Sequence, residues 1–190
     1  MQRTYIGLDL AASPRRCTGF ALIVEQGCAT LREVRCLFTD NEILGLIRSL
    51  IPISSRVVVA IDAPLSFPKN GFIRDVDKKM ISLGLRVLPP GLKGMKLLTG
   101  RAIKLCNELR SIGIEVIETH PRSVLKSSGC LDVESLLEKL NIERKTVAFQ
   151  GHKDLTDAVL AAIAAFCLDH GCSYSVVGNE GTIYVLSKIC

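Results

Sequence analysis

Residues 56–62 read Arg-Val-Val-Val-Ala-Ile-Asp. A continuous apolar, largely β-branched run of this kind leaves no polar edge for water, so the strand it forms needs cover on both faces. That requirement points to an α/β chain with helices on either side of a sheet. The run ends in Asp62-Ala-Pro-Leu, where Pro64 forces the chain out of the sheet. Residues 114–119, Ile-Glu-Val-Ile-Glu-Thr, repeat the pattern and run into His120-Pro121-Arg122.

The segments around these two strands supply the rest of an α/β architecture. Residues 4–11 and 18–26 read as strands, and Gly27-Cys28-Ala29 as a turn into a third strand over 30–38. Short connections between three strands predict an antiparallel meander. Asp40 or Asn41 is positioned to cap a helix over 42–50, closed by Pro52 and Ser54-Ser55. One helix is expected near 72–83, another from Met95 to Ile112 ended by Gly113, and two short ones within 122–145. An alanine-rich helix from Lys153 or Asp154 to His170 is apolar nearly all round, which marks it as buried. Residues 173–187 read as a hairpin turning at Asn179-Glu180-Gly181.

With 190 residues, 48% hydrophobic and 23% charged, the chain suits a single folded domain over 1–190. No run approaches the ~18 apolar residues of a membrane span. The N-terminus enters a strand pattern at once, without the basic and apolar regions of a signal peptide, so the expected location is cytoplasmic. The net charge of +5 suits a polyanionic partner without demanding one. Eight cysteines, at 17, 28, 36, 106, 130, 167, 172 and 190, include no CxxC pair, which excludes a zinc ribbon. Most sit in apolar runs and read as small buried hydrophobes; disulfides stay open.

Four acids stand where an α/β sheet places its ligands. Asp9 lies late in the first strand, Asp62 ends the fourth, Glu118 lies at the end of the fifth, and Asp157 lies in the first turns of the last long helix. Carboxyl ends of parallel strands line the crevice of an open sheet. Carboxylates gathered there repel each other unless cations are bound, and hard ions such as Mg²⁺ or Mn²⁺ take oxygen ligands. Two such ions clamp a phosphodiester for in-line attack. Each acid also has a plainer reading as a turn former or helix cap. Asp154, three positions before Asp157 on the same helical face, reads as an accessory ligand or, the favoured reading, a charge stabilising the helix N-terminus.

Tyr5-Ile-Gly-Leu-Asp-Leu-Ala, Ala60-Ile-Asp-Ala-Pro-Leu, Glu118-Thr-His-Pro-Arg and Asp157-Ala-Val-Leu-Ala-Ala resemble the blocks of the domain of unknown function 429 family, whose members are described as predicted RNase H-like nucleases. The resemblance spans roughly residues 4–170. It implies an RNase H-like α/β fold: a mixed five-stranded sheet, three antiparallel strands then parallel strands, flanked by helices. To this are added a basic helical insertion at 66–112 and the C-terminal hairpin. Holliday-junction resolvases of this fold are similar in placing acids on the first strand, later strands and last helix, a pattern that falls on Asp9, Asp62, Glu118 and Asp157. The implied activity is metal-dependent hydrolysis of DNA or RNA with two Mg²⁺ or Mn²⁺ ions. Junction resolution would favour a homodimer.

The same resemblance makes Arg74 and Asp77, in Phe-Ile-Arg-Asp-Val-Asp, candidates for support of the site, against a plain surface ion pair. His120 is a candidate to hold a water or phosphate, and Arg122 to bind phosphate bidentately. Lys96 and Arg101 belong to a run of basic residues over 69–104 suited to steering nucleic acid. Aromatic residues are 5% of the chain and Trp is absent, so an extended stacking platform is poorly supported. Two other classes compete. One is a non-catalytic nucleic-acid-binding or assembly protein that retains the fold. The other is a phosphoryl-transfer domain of the actin and sugar-kinase kind, disfavoured by the chain's length and the lack of a glycine-rich phosphate loop.

Overall fold

The computed structural model describes residues 1–145 and 148–190. Three strands come first: β1 (Arg3–Asp9), β2 (Thr18–Gln26) and β3 (Cys28–Leu37). Helix α1 (Asp40–Leu50) leads to β4 (Arg56–Ile61), and α2 (Asp75–Ser82) and α3 (Lys93–Ser111) lead to β5 (Glu115–Thr119). Then come α4 (Pro121–Ser128), α5 (Val133–Lys139), β6 (Ile142–Arg144), α6 (Lys153–His170), β7 (Ser173–Gly178) and β8 (Gly181–Leu186).

The α/β class is as expected, with six helices around one mixed sheet. That sheet has eight strands in the order β6-β3-β2-β1-β4-β5-β8-β7, not five. The meander β1–β2–β3 is antiparallel, and β1, β4 and β5 run parallel. The additions sit at both edges. The C-terminal hairpin joins the sheet through β8, which pairs in parallel with β5 at Glu118↔Ile183 and Thr119↔Tyr184. Residues 142–144, expected within a helix, form β6 beside β3. The cap of α1 is Thr39, not Asp40 or Asn41: its side chain accepts from the Glu42 N–H, while Glu42 accepts from the Thr39 N–H.

Strand alternation divides the core into two layers. Tyr5, Ala21, Ile23, Val58, Ala60 and Ile117 face α6 and the short helices α4 and α5. Ile6, Leu8, Phe20, Leu22, Val59, Ile61 and Val116 face α1 and α3. The second half of α3 buries Ala102, Leu105, Cys106 and Leu109 in that second layer. A smaller core under α2, built from Val76 and Met80, packs on Val176, Ile183 and Val185 of the hairpin.

Helix α6 lies on the sheet closely enough that no side chain fits beneath it at two positions. A Cβ on Gly7 would overlap the backbone of Ala158 and Ala162, and one on Gly19 the backbone of Asp154. The alanines of α6 are the matching half of this contact: Ala158, Ala161, Ala162, Ala164 and Ala165 are fully buried.

Six cysteines are paired, as Cys17–Cys36, Cys130–Cys190 and Cys167–Cys172. The expectation of small buried hydrophobes therefore holds for Cys106, while Cys28 is free and exposed. No helix is long and apolar enough to cross a membrane, among the described residues.

Replacement of Gly7 by alanine is expected to destabilise the protein by about 2–3 kcal/mol or more, since backbone must move to admit the methyl group. Gly45→Ala, in α1 with open space around it, is expected to be neutral or to stabilise by up to ~1 kcal/mol. Urea melts of the two variants beside wild type check the contrast.

Candidate metal centre

The parallel pairing of β1 and β4 sets Leu8 opposite Ile61, and the Asp62 N–H donates to the Leu8 carbonyl at 2.8 Å. The ladder is thereby carried one residue further, and Asp9 and Asp62 stand side by side at the carboxyl ends of the two central strands. Alternation sets their faces. Asp9 follows Tyr5 and Gly7 in parity, and Asp62 follows Val58 and Ala60, so both project toward α6. The contacts of Gly7 and Gly19 with α6 bring Asp157 over the same point.

The three carboxyls act on one another. Burial, and then the charges of Asp157 and Asp154, push Asp9 up to about 7. Asp62 is pushed well above the ordinary carboxylate range by burial and by Asp9 and Asp157. Burial raises Asp157 as well, against the pull of Lys153, whose Nζ lies 3.7 Å away, and of Arg122. Asp154, expected to serve as a helix-end charge, thus belongs electrostatically to the site.

Glu118 has a different setting from the one expected. In β5, Val116 faces the α3 layer and Ile117 the α6 layer, so Glu118 projects to the face opposite the three aspartates. There Arg74 meets it with two hydrogen bonds, Nη1 to Oε2 at 2.9 Å and Nη2 to Oε1 at 2.5 Å. The Leu65 N–H donates to Oε2 at 2.8 Å. Arg74 also grips Asp77 through Nε at 3.0 Å and Nη2 at 2.7 Å, and reaches Ser66 Oγ at 3.0 Å. Arg74 and Asp77 are each 1% exposed, so they are no surface pair. Burial pushes the Glu118 carboxyl up, and Arg74 and the Leu65 N–H oppose it. Glu118, Arg74 and Asp77 line the same cavity as the aspartates, yet their polar atoms bind each other. They brace β5, α2 and the loop that follows Asp62, with Glu118 engaged by Arg74 and turned away from the three aspartates with which it was expected to share a metal.

The cavity over these groups has a volume of about 680 Å³ and opens between α4, α6 and the segment before α3. His120 lines it, its Nδ1 2.8 Å from Ser123 Oγ. Burial, with Arg122 and Lys153 nearby, pushes His120 down to about 4, so its ring is neutral at neutral pH. Arg122 is exposed and lines the cavity, as do Arg86, from the basic run over 69–104, and Lys126 and Lys153, two cations that were not among the expected contacts. Lys153 has a visible signal in its i,i+4 spacing to Asp157; Arg86 and Lys126 reach the site only through tertiary packing. Two expected substrate contacts lie elsewhere. Lys96 is exposed and does not line the cavity. Arg101 is 9% exposed and is an internal clamp, donating to Asp40 Oδ1 at 2.7 Å and to the Ala11 and Phe38 carbonyls.

Among the described residues, no three His, Cys, Asp or Glu side chains are gathered into a ready-made cage for an ion. The donor chemistry of Asp9, Asp62 and Asp157 still fits a hard dication: Asp157 raises Asp9, both raise Asp62, and a bound cation relieves that repulsion.

No family model matches the chain, so the likeness to the domain of unknown function 429 family rests on the four short blocks. No curated protein matches it. Among solved structures, T. thermophilus RuvC in complex with Holliday junction substrate is similar at 18% identity and a TM-score of 0.49, over 90% of this chain and 97% of that one. Overlap of that degree assigns no residue a role.

Two outcomes are expected. Arg74→Met leaves Glu118 and Asp77 buried without their cation and is expected to cost about 3–5 kcal/mol in urea unfolding, whereas Arg101→Lys, which keeps a charge beside Asp40, costs less. Asp9 titrates near 7 when folded, against 3.8 for a free aspartate carboxyl, so the folded chain binds this proton more tightly. Stability of the metal-free protein is therefore expected to fall as pH rises from about 4 through about 7. Added Mn²⁺ is expected to raise Tm more at about pH 8 than at about pH 5, which thermal melts in both buffers check.

Proposed function

We propose that the chain is an RNase H-like, divalent-metal-dependent nuclease that hydrolyses phosphodiester bonds of nucleic acid. The observation that carries this reading is the meeting of Asp9, Asp62 and Asp157, from three separate elements, at the carboxyl ends of the two central parallel strands. The order β3-β2-β1-β4-β5, with β2 antiparallel to its neighbours, agrees with the RNase H-like expectation. The basic rim supports a polyanionic substrate.

In this reading Asp9, Asp62 and Asp157 hold Mg²⁺ or Mn²⁺, as one ion or a pair. A divalent ion there supplies neutralisation of the phosphodiester charge and a lowered pKa of bound water. The chain's own groups do the positioning. Arg122, Lys126 and Lys153 hold the phosphate at the mouth of the cavity. The neutral ring of His120 holds a water by hydrogen bonding, and Ser123 fixes the ring's orientation through Nδ1. Glu118 and Arg74 keep the loop after Asp62 in place through the Leu65 N–H.

The absence of a preformed cage among the described residues favours, as second reading, a non-catalytic nucleic-acid-binding protein of the same fold. Calorimetric titration of Mn²⁺ and Mg²⁺ separates the two, run on wild type and on Asp62→Asn/Asp157→Asn. Cleavage is assayed in parallel on single-stranded, duplex, hybrid and branched nucleic acids. The nuclease reading expects metal binding and cleavage in wild type, with cleavage reduced at least ~100-fold in the variant. No metal binding, even with nucleic acid present, overturns it in favour of the binding protein.

A further inference from the structure

The cavity above the aspartates has a second wall that its polar chemistry does not use. Leu10 follows β1, Val87 and Leu88 come from the loop before α3, Met95 and Leu98 from the first turns of α3, and Ile183 from β8; all line the cavity. Leu88 is 64% exposed. These side chains share one space with Asp9, Asp62 and Asp157.

A phosphate, its sugar and their hydration gain nothing from an aliphatic wall. The part of a nucleotide that does gain is the face of the base, which loses apolar contact with water when buried. In a continuous duplex both faces are already covered by neighbouring pairs, so only an unstacked base can use the wall. The volume of about 680 Å³ falls within the ~300–1,000 Å³ of cavities that enclose small organic ligands. No Phe or Tyr among the described residues lines it and its one aromatic ring among them, His120, is engaged with Ser123, so the base is held chiefly by burial between aliphatic side chains and the adaptable thioether of Met95. Such a wall tolerates any of the bases.

We infer that this wall receives a single unstacked nucleobase beside the phosphodiester to be cut, so that the substrate is a single strand, a gap or an unpaired nucleotide in preference to continuous duplex. The inference rests on the nuclease reading and narrows its substrate class. The loop bearing Val87 and Leu88 acts as the specificity element, and Leu88 guards the mouth.

The test uses the full chain with Mg²⁺ and oligonucleotides of one sequence carrying 2-aminopurine, as single strand, gapped duplex and continuous duplex. Wild type is expected to bind the first two roughly ten- to hundredfold tighter than the third, because no pairing has to be broken. 2-Aminopurine emission is expected to change on binding, read at once on mixing. Leu88→Ser and Met95→Ser, each checked for cooperative melting, are expected to lose most of that preference and of the emission change. If wild type binds metal and cleaves, yet treats duplex and single strand alike with unchanged emission, the base-binding wall is overturned and the nuclease reading stands. If neither metal nor any of the three oligonucleotides is bound, the nuclease reading falls and takes the inference with it.

Discussion

The contact between the backbone of α6 and the glycines of β1 and β2 sets the geometry of the molecule. Helices usually ride on sheets with a layer of side chains between them. Here Gly7 and Gly19 remove that layer, and Ala158, Ala161 and Ala162 remove its counterpart on the helix. Close approach gives dense dispersion contact between the first half of α6 and the two strands, over Asp154 to Ala162. It also fixes the helix in rotation and along its axis, because any slide would set a larger residue on a glycine. Asp157 is therefore delivered to Asp9 by packing, with no hydrogen bond between them needed.

The two faces of the sheet treat their acids in opposite ways. On the α3 face, Glu118 and Asp77 are both saturated by Arg74, and the three side chains are almost wholly buried. A buried ion cluster of this kind adds little net stability but is costly to break, so it specifies one arrangement of α2, β5 and the loop after Asp62. On the α6 face, Asp9, Asp62 and Asp157 have the exposed Lys153 and Arg122 as their cationic neighbours. Their repulsion is a standing destabilisation, which the rigid packing beneath them sustains. The brace on one face and the strained acids on the other meet in the short loop that carries Asp62 and Leu65.

Much of this is legible in residue order alone, and the failures have physical causes. The run Val57–Ile61 announces a strand covered on both faces, and the alanines of α6 announce a buried helix; both are so. Asp9, Asp62 and Asp157 can be grouped because strand ends and a helix start confine where a side chain can go. Glu118 cannot be assigned, since a shift of one residue along a strand reverses the face, and the sequence does not state which of Ile117 or Glu118 looks toward α6. Arg74 resembles a surface residue because its partner on β5 lies 44 positions away. Arg101 resembles a phosphate ligand for the same reason: its acceptors on Asp40, Ala11 and Phe38 are far off in the chain. β6 has three residues, too few for any periodic signal. The disulfides follow no shared spacing: Cys17–Cys36 ties the start of β2 to β3, Cys130–Cys190 ties the segment after α4 to the last residue, and Cys167–Cys172 spans the end of α6.

The acids and the aliphatic wall together constrain chemistry more than either does alone. Carboxylates recessed beneath a cavity can act on a phosphodiester only if the backbone reaches them, and a rigid duplex keeps its phosphates on the outside of a wide cylinder. A strand that turns a base inward lets the backbone follow it down. The same burial that raises Asp9 and Asp62 also strengthens every interaction a bound cation makes there, because fewer waters compete. If an unstacked base is what the cavity takes, specificity and electrostatics are linked: the base that fills the aliphatic wall would displace water from above the carboxyl cluster and strengthen its hold on a cation.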